Sequence, residues 1–312
     1  MSKTLIPAGK VFAVGESLLD LISKGNFLLK IVPGGSMLNT CVSLGRLGVD
    51  THLISEFGGD KAGEIIEKFL HANGVQTEYC IKYSNNKTAL ALAFLDEYKN
   101  ATYSFYTDFP KELAAFQLPD FSSTDFLLYG SSYAVKPERQ DLVGTIVKQA
   151  NESGAFIFYD PNFRKNHAHA NPDYQSVIAQ NMKSATLIKG SEEDFMYLFG
   201  ISDPVDVYNQ IRQTCGCLVV TSGSASVNLF TPQIKKKYAV PEIIPVSTIG
   251  AGDNFSAGLI YGLLCNGINR KNISNVTVKM WDEMIGRAIN FASSVCLSSG
   301  NYISKAFVRL NK

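Results

Sequence analysis

Ser247-Thr248-Ile249-Gly250-Ala251-Gly252-Asp253-Asn254-Phe255-Ser256-Ala257-Gly258 is the stretch on which the reading of this chain turns. A glycine-rich turn runs into an apolar helix, and one carboxylate, Asp253, sits where the helix begins. The first N–H groups of a helix have no internal partner and, with the helix dipole, they attract anions. Glycines there remove the Cβ atoms that would keep a phosphate away from the backbone. An aspartate beside an anion repels it, unless its task is to take a proton from a hydroxyl attacking a phosphate. Gly250, Ala251, Gly252 and Asp253 therefore form the candidate catalytic group.

Taken alone, Gly-x-Gly-Asp also describes a helix start whose small residues pack tightly against a sheet. The whole string, however, resembles the second signature of the PfkB, or ribokinase-like, carbohydrate kinases: Asp-Thr-x-Gly-Ala-Gly-Asp, then a small-residue pair. Ser247 stands where that signature usually carries aspartate. The resemblance implies an α/β fold, a three-layer α/β/α arrangement with a mostly parallel sheet and a small β-sheet lid. It also implies ATP-dependent phosphorylation of a sugar hydroxyl.

At 312 residues the chain can form one large α/β domain or two small ones. Its 46% hydrophobic and 18% charged content is ordinary for a soluble protein with a sizeable core. A formal net charge of +1 supplies no basic field for nucleic acid, and Lys235-Lys236-Lys237 reads as a solvated turn. No apolar run reaches the roughly 18 residues needed to cross a bilayer. Thr4-Leu5-Ile6-Pro7 is too short for the apolar core of a secretory signal. The six cysteines show neither disulfide nor zinc spacing, and reduced thiols in a cytoplasmic protein are the simplest account.

Val11-Phe12-Ala13-Val14-Gly15 has the form of a buried parallel strand. Further strands are expected at 51–55, 126–129, 156–159, 185–189, 218–221 and 227–230. Helices are expected near 137–152, 172–182, 192–199, 204–214, 251–265 and 281–297. Asp60 reads as the N-cap of a helix whose Ile65, Ile66, Phe69 and Leu70 share one face, with Gly74 ending it. Such alternation implies a mostly parallel sheet covered on both faces. Residues 88–95 and 101–107 break the rhythm and read as a β-hairpin. They complete a small discontinuous sheet, from about 16–33 and 86–108, within a single domain spanning 1–312.

Gly34-Gly35-Ser36-Met37-Leu38-Asn39 resembles the first signature of the same family, Gly-Gly-x-x-x-Asn before a helix. Met37 and Cys41 stand where small residues are usual. Paired glycines bring backbone close to sugar hydroxyls, and Asn39 offers a donor and an acceptor. Asp20 falls where the family carries an aspartate that accepts hydrogen bonds from substrate hydroxyls. Asp160-Pro161-Asn162-Phe163-Arg164 follows a strand, at the end where parallel sheets place ligand contacts. It resembles the Asp-x-Asn-x-Arg stretch of fructokinases and 2-keto-3-deoxygluconate kinases; the plain alternative is a Pro-Asn turn with a surface arginine. The substrate set implied is Asp20, Gly34, Gly35, Asn39, Asn162 and Arg164.

Lys189-Gly190-Ser191-Glu192-Glu193-Asp194 resembles the family's Asn/Ser-x-x-Glu motif, which arranges the Mg²⁺ of the nucleotide largely through water. Glu193 and Asp194 suit such indirect contact, and Ser191 with Asp194 also spells a capping box. Thr221-Ser222-Gly223 matches a Thr-x-Gly that approaches phosphates and ribose, and Asn290 lies on the helix that borders adenine in such kinases. Lys189, Ser191, Thr221, Gly223 and Asn290 form the nucleotide-binding set.

Neither a Gly-x-x-x-x-Gly-Lys-Ser/Thr nor a Gly-x-Gly-x-x-Gly after the first strand is present, which sets aside P-loop ATPases and nicotinamide dehydrogenases. The expectation is a fructokinase-like sugar kinase using Mg²⁺ and ATP, with 2-keto-3-deoxygluconate, ribose and adenosine as alternative acceptors. A sugar-binding regulator is the competing class, but it predicts loss of Asp253, which is intact. Serine is a poorer cation ligand than aspartate, so Ser247 speaks against potassium activation. The expected partners are sugar and ATP, with no nucleic acid or membrane. A homodimer through the lid would cover that sheet's exposed edges.

Overall fold

Alternation along the central strands sends their side chains into two separate cores. Phe12, Leu127, Tyr129, Ile157 and Tyr159 join one apolar cluster, while Val11, Ala13, Phe126, Leu128, Phe156 and Phe158 join the other. A strand period of two with both faces apolar requires helices on each side. The computed structural model, which describes residues 9–95, 101–114, 116–163 and 173–311, supplies them.

The chain opens with β1 (Val11–Val14), β2 (Leu18–Lys24), β3 (Phe27–Gly34), α1 (Ser36–Arg46), β4 (Thr51–Gly58) and α2 (Lys61–His71). There follow β5 (Val75–Gln76), β6 (Cys80–Tyr83), β7 (Leu90–Leu95), β8 (Ala101–Tyr106), β9 (Phe126–Gly130) and α3 (Gln140–Glu152). Next come β10 (Phe156–Asp160), α4 (Tyr174–Ser184), β11 (Leu187–Ser191), α5 (Glu192–Phe199), α6 (Pro204–Ile211) and β12 (Leu218–Thr221). The last part holds β13 (Ser226–Phe230), β14 (Lys235–Ala239), α7 (Ala251–Cys265), α8 (Val278–Cys296) and α9 (Lys305–Asn311).

The large sheet runs β14-β13-β12-β11-β10-β9-β1-β4-β5, with β6 pairing β4; β13 pairs antiparallel with both β12 and β14, and the other pairings are parallel. From β1 the chain builds outward through β4, then returns to β9 on the other side. This reversal opens a crevice at the strands' C-terminal ends, the place where open α/β sheets take ligands. Helices α1, α2, α7 and α8 cover one face, and α3 to α6 the other.

α7 is apolar almost all round and is buried continuously from Asn254 to Leu264. α2 is capped by Asp60, whose carboxylate accepts from Gly63 N–H at 3.0 Å. Met37 is buried with its side chain against Gly15, filling an apolar gap. The six cysteines are free, and burial pushes the Cys41 thiol well above its ordinary range. Among the described residues no helix is long and apolar enough to cross a membrane.

One expectation fails at the sheet edge. Lys235, Lys236 and Lys237 lie in β14, paired antiparallel with β13, not in a turn. The alternating exposure of this edge strand lets lysines face water without breaking the ladder. The short strands β5 and β6 also went unread, since two to four residues carry too little periodicity.

A separate four-stranded sheet, ordered β3-β2-β7-β8, combines antiparallel pairs β2–β3 and β7–β8 with a parallel β2–β7 pair. Phe27, Ile31 and Tyr106 are exposed on this sheet, and Leu29 and Phe105, also exposed, line the cleft.

Candidate active site

Two helices begin at the same cleft, and neither is capped by a side chain. α7 starts from Gly250 with φ 81°, and α1 from Gly35 with φ 119°. Both values favour glycine, and a Cβ on Gly250 would also strike the carbonyl of Asn301. The Ala251 N–H is turned to the Thr248 carbonyl at 3.2 Å. Among the described residues, the N–H groups of Gly250 and Gly252 make no such bond. Two helix dipoles thus converge on a cleft of about 1550 Å³.

Asp253 bridges the two helix starts. Its Oδ1 accepts from Ser36 Oγ at 2.6 Å and its Oδ2 from Asn39 Nδ2 at 2.8 Å. Thr40 Oγ1 donates to its backbone carbonyl at 3.0 Å. These contacts fix the carboxylate, and each oxygen keeps a lone pair for a further donor. Asn39, read as a sugar ligand, gives an amide N–H to Asp253, and its Oδ1 has no partner among the described residues. Ser36, inside the first signature, carries no sequence mark of this partnership with a residue 217 positions away.

Asp20 comes from the small sheet, where β2 pairs with both β3 and β7. Burial pushes its pKa up to about 7, helped by the Asp253 carboxylate and opposed by Lys30. A Cβ on Gly34 would overlap the Asp20 carboxylate. Gly34 does not line the cleft, so its place is to make room for Asp20, while Gly35 does line it.

Ser131, with φ 56°, and Asn162, with φ 37°, have left-handed backbones, and both line the cleft. Such strain gathers at functional sites. Ser132 Oγ donates to Glu16 Oε2 at 2.6 Å, and Lys136 ion-pairs with Oε1 of the same carboxylate. Ser131, Ser132 and Lys136 follow β9 without a motif, so nothing in the sequence marks them. Lys30 carries no motif either; from the small sheet it donates to the Ser299 carbonyl at 2.6 Å.

The nucleotide set spreads along the same edge. Lys189 lines the cleft but is buried and ion-paired with Asp160 at 2.9 Å. Burial works against its ammonium, yet the carboxylates of Asp160, Asp194 and Asp253 outweigh that and hold its pKa high. Ser191 and Asp194 complete a capping box at the start of α5. Asp194 is thereby turned onto its own helix, while exposed Glu193 lines the cleft. Ser191 pairs in register with Thr221, and Gly223 follows exposed with φ 55°. Asn290 is exposed on α8. Thr221, Gly223 and Asn290 are not in the cleft wall itself. Arg164 lies outside the described residues.

The sequence profile of the pfkB family carbohydrate kinases matches residues 10–306. The chain belongs to this family. It is 27% identical over 265 residues to a fructokinase of Klebsiella pneumoniae, covering 83% of this chain and 86% of that one. It is 26% identical over 259 residues to an aminoimidazole riboside kinase of Salmonella typhimurium, covering 81% of each. Among solved structures, a Vibrio cholerae fructokinase with fructose, ADP and potassium bound superposes with a TM-score of 0.83, at 21% identity, over 97% of this chain and 98% of that one. An aminoimidazole riboside kinase of Salmonella enterica, complexed with its substrate and an ATP analogue, gives 0.83 at 21% identity with the same coverage. Membership of the pfkB family, the three-layer fold with its small sheet and the ATP-dependent carbohydrate kinase class are as the two signatures implied.

Proposed function

We propose that this pfkB kinase transfers the γ-phosphate of ATP to the primary hydroxyl of a sugar, with fructose the acceptor of first choice. The observation that carries the reading is Asp253 fixed by Ser36 and Asn39 between two uncapped helix starts. The γ-phosphate lies against the free N–H groups of Gly250 and Gly252. The acceptor sits towards the small sheet, between Asp20, Gly35 and Asn162, and its hydroxyl approaches Asp253. The bond from that oxygen to phosphorus forms as the bond to the ADP oxygen breaks, and the hydroxyl proton passes to Asp253. Phosphoryl transfer is largely dissociative, so positioning and charge stabilisation carry most of the acceleration and a strong base is unnecessary. The small sheet acts as a lid that keeps water from the transferring group.

Thr221, Gly223 and Asn290 take the nucleotide along the open edge beyond Lys189 and Ser191. Mg²⁺ enters with the triphosphate. A Mg²⁺ carried in by the triphosphate keeps phosphate and water as its main ligands. Glu193, which lines the cleft, reaches that water shell, while Asp194 caps α5 through Ser191. The metal's chemistry would be to neutralise phosphate charge. Ser247 Oγ accepts from Ile249 N–H at 3.2 Å, which leaves it a weak ligand for a monovalent ion. The Vibrio fructokinase binds potassium, and a K⁺ titration of the rate decides whether this chain needs it. The protein is read as cytoplasmic and as a homodimer through the small sheet.

The deciding experiment follows ADP release from Mg·ATP with fructose, 2-keto-3-deoxygluconate, ribose, adenosine and aminoimidazole riboside. Turnover with fructose is expected. ATP binding without turnover on any acceptor would favour the regulator instead.

A further inference from the structure

Three elements meet at one buried carboxylate that the transfer steps above leave without a task. Asp160, at the end of β10, is 1% exposed. Its Oδ2 accepts from Lys189 Nζ of β11 at 2.9 Å and from Ser256 Oγ of α7 at 3.0 Å. Lys189 nonetheless reaches the cleft wall, and its Nζ stands 3.2 Å from where a Cβ of Gly252 would lie. The ammonium therefore packs under the first turn of α7, beside the free N–H groups. An ammonium has three donors, and Asp160 takes one of them.

A structural staple is a poor explanation for this arrangement. Apolar replacements of buried ion pairs are often neutral or stabilising. Asp160 Oδ1 is also buried with no hydrogen-bond partner among the described residues, a cost that a staple has no need to carry. We propose that Asp160 is a positioning residue for phosphoryl transfer. With Ser256 it holds the Lys189 ammonium against Gly252, as a fixed positive charge for the γ-phosphate. Backbone N–H groups offer only partial charges, whereas Lys189 brings a whole one into a water-poor site. The proposal rests on the phosphotransferase reading of the same cleft.

The test separates the two ideas by using a readout that needs no acceptor. Affinities for ADP and for the non-hydrolysable analogue AMP-PNP, both with Mg²⁺, are measured by calorimetry on wild type, Asp160→Asn, Asp160→Glu and Lys189→Met. Turnover on fructose and melting temperature are measured in parallel. Lys189→Met is expected to lower AMP-PNP affinity relative to ADP by about tenfold, and kcat by roughly 10²–10³, the loss typical of one transition-state donor. Asp160→Asn follows in the same direction, Asp160→Glu restores part of both, and KM for fructose stays within about threefold. A lower melting temperature in Asp160→Asn, with the AMP-PNP to ADP ratio unchanged, would overturn the proposal and leave only a staple. Absent wild-type turnover on every acceptor sinks the kinase reading, whereas the nucleotide ratio still judges the clamp. If Lys189→Met does not fold, Ser256→Ala loosens one arm of the clamp and a shifted ratio is again required.

Discussion

Asp253 and Asp20 face one cleft from opposite sides, and their surroundings set them to different work. Asp253 is held by two donors and is free to take a proton. Asp253→Asn keeps that shape without the charge, so nucleotide affinity should survive while kcat falls roughly 10²–10⁴-fold, the range of a lost general base. Calorimetry and a steady-state assay on the same preparation check both halves. Asp20 is protonated for much of the acid range, because its pKa is raised from 3.8 to about 7. Its carboxylate, the form that accepts hydrogen bonds from sugar hydroxyls, fills as pH rises through about 7. Between pH 6 and 8, kcat/KM for the sugar should rise by about tenfold, and Asp20→Asn should flatten that rise. The linkage to stability has the opposite slope. The folded state holds this proton more tightly than the unfolded chain, so the Asp20 contribution is lost as pH climbs from about 4 towards 7 and then levels off.

The start of α7 shows what an element owes to its neighbours. Gly250→Ala places a side chain at φ 81° against the Asn301 carbonyl, which should cost about 1–3 kcal/mol and weaken nucleotide binding together with it. Chemical denaturation beside an AMP-PNP titration measures the two. This helix was also the most legible part of the sequence. Its glycines, its apolar surface and the lone Asp253 fixed the reading of 251–265, and α5 over 192–199 was equally plain from Ser191 and Asp194. The same residues can hide their roles when those depend on distant partners. Asn39 reads as a sugar ligand, but its hold on Asp253, far along the chain, cannot be read from the first signature. Gly34 reads as a ligand contact until Asp20 is found filling its missing Cβ. Lys136 and Ser131 carry no motif, since their position depends on how β9 turns after Gly130. Lys235-Lys236-Lys237 misled for another reason: charge alone does not tell a turn from an edge strand.

Seen as a whole, the molecule covers its large sheet with helices but leaves the small one bare on its outer side. Phe27 is 77% exposed, and Ile31 and Tyr106 of the same sheet are exposed without lining the cleft. Contiguous apolar patches on soluble proteins mark interaction surfaces, and unpaired edge strands invite pairing. Self-association through this face is the expected outcome, measured by sedimentation. Phe27→Glu with Ile31→Glu should yield monomers while changing AMP-PNP affinity by less than about threefold. The site, by contrast, draws on almost the full length of the chain. Ser36 meets Asp253 across 217 positions, and the carbonyl beneath Gly250 belongs to Asn301. On the ribosome, β1 to β12 emerge and can pair before α7 exists, and the support for its first turn emerges later still. A nascent chain therefore gains its core before its phosphate pocket, and it handles no nucleotide until Asn301 has emerged.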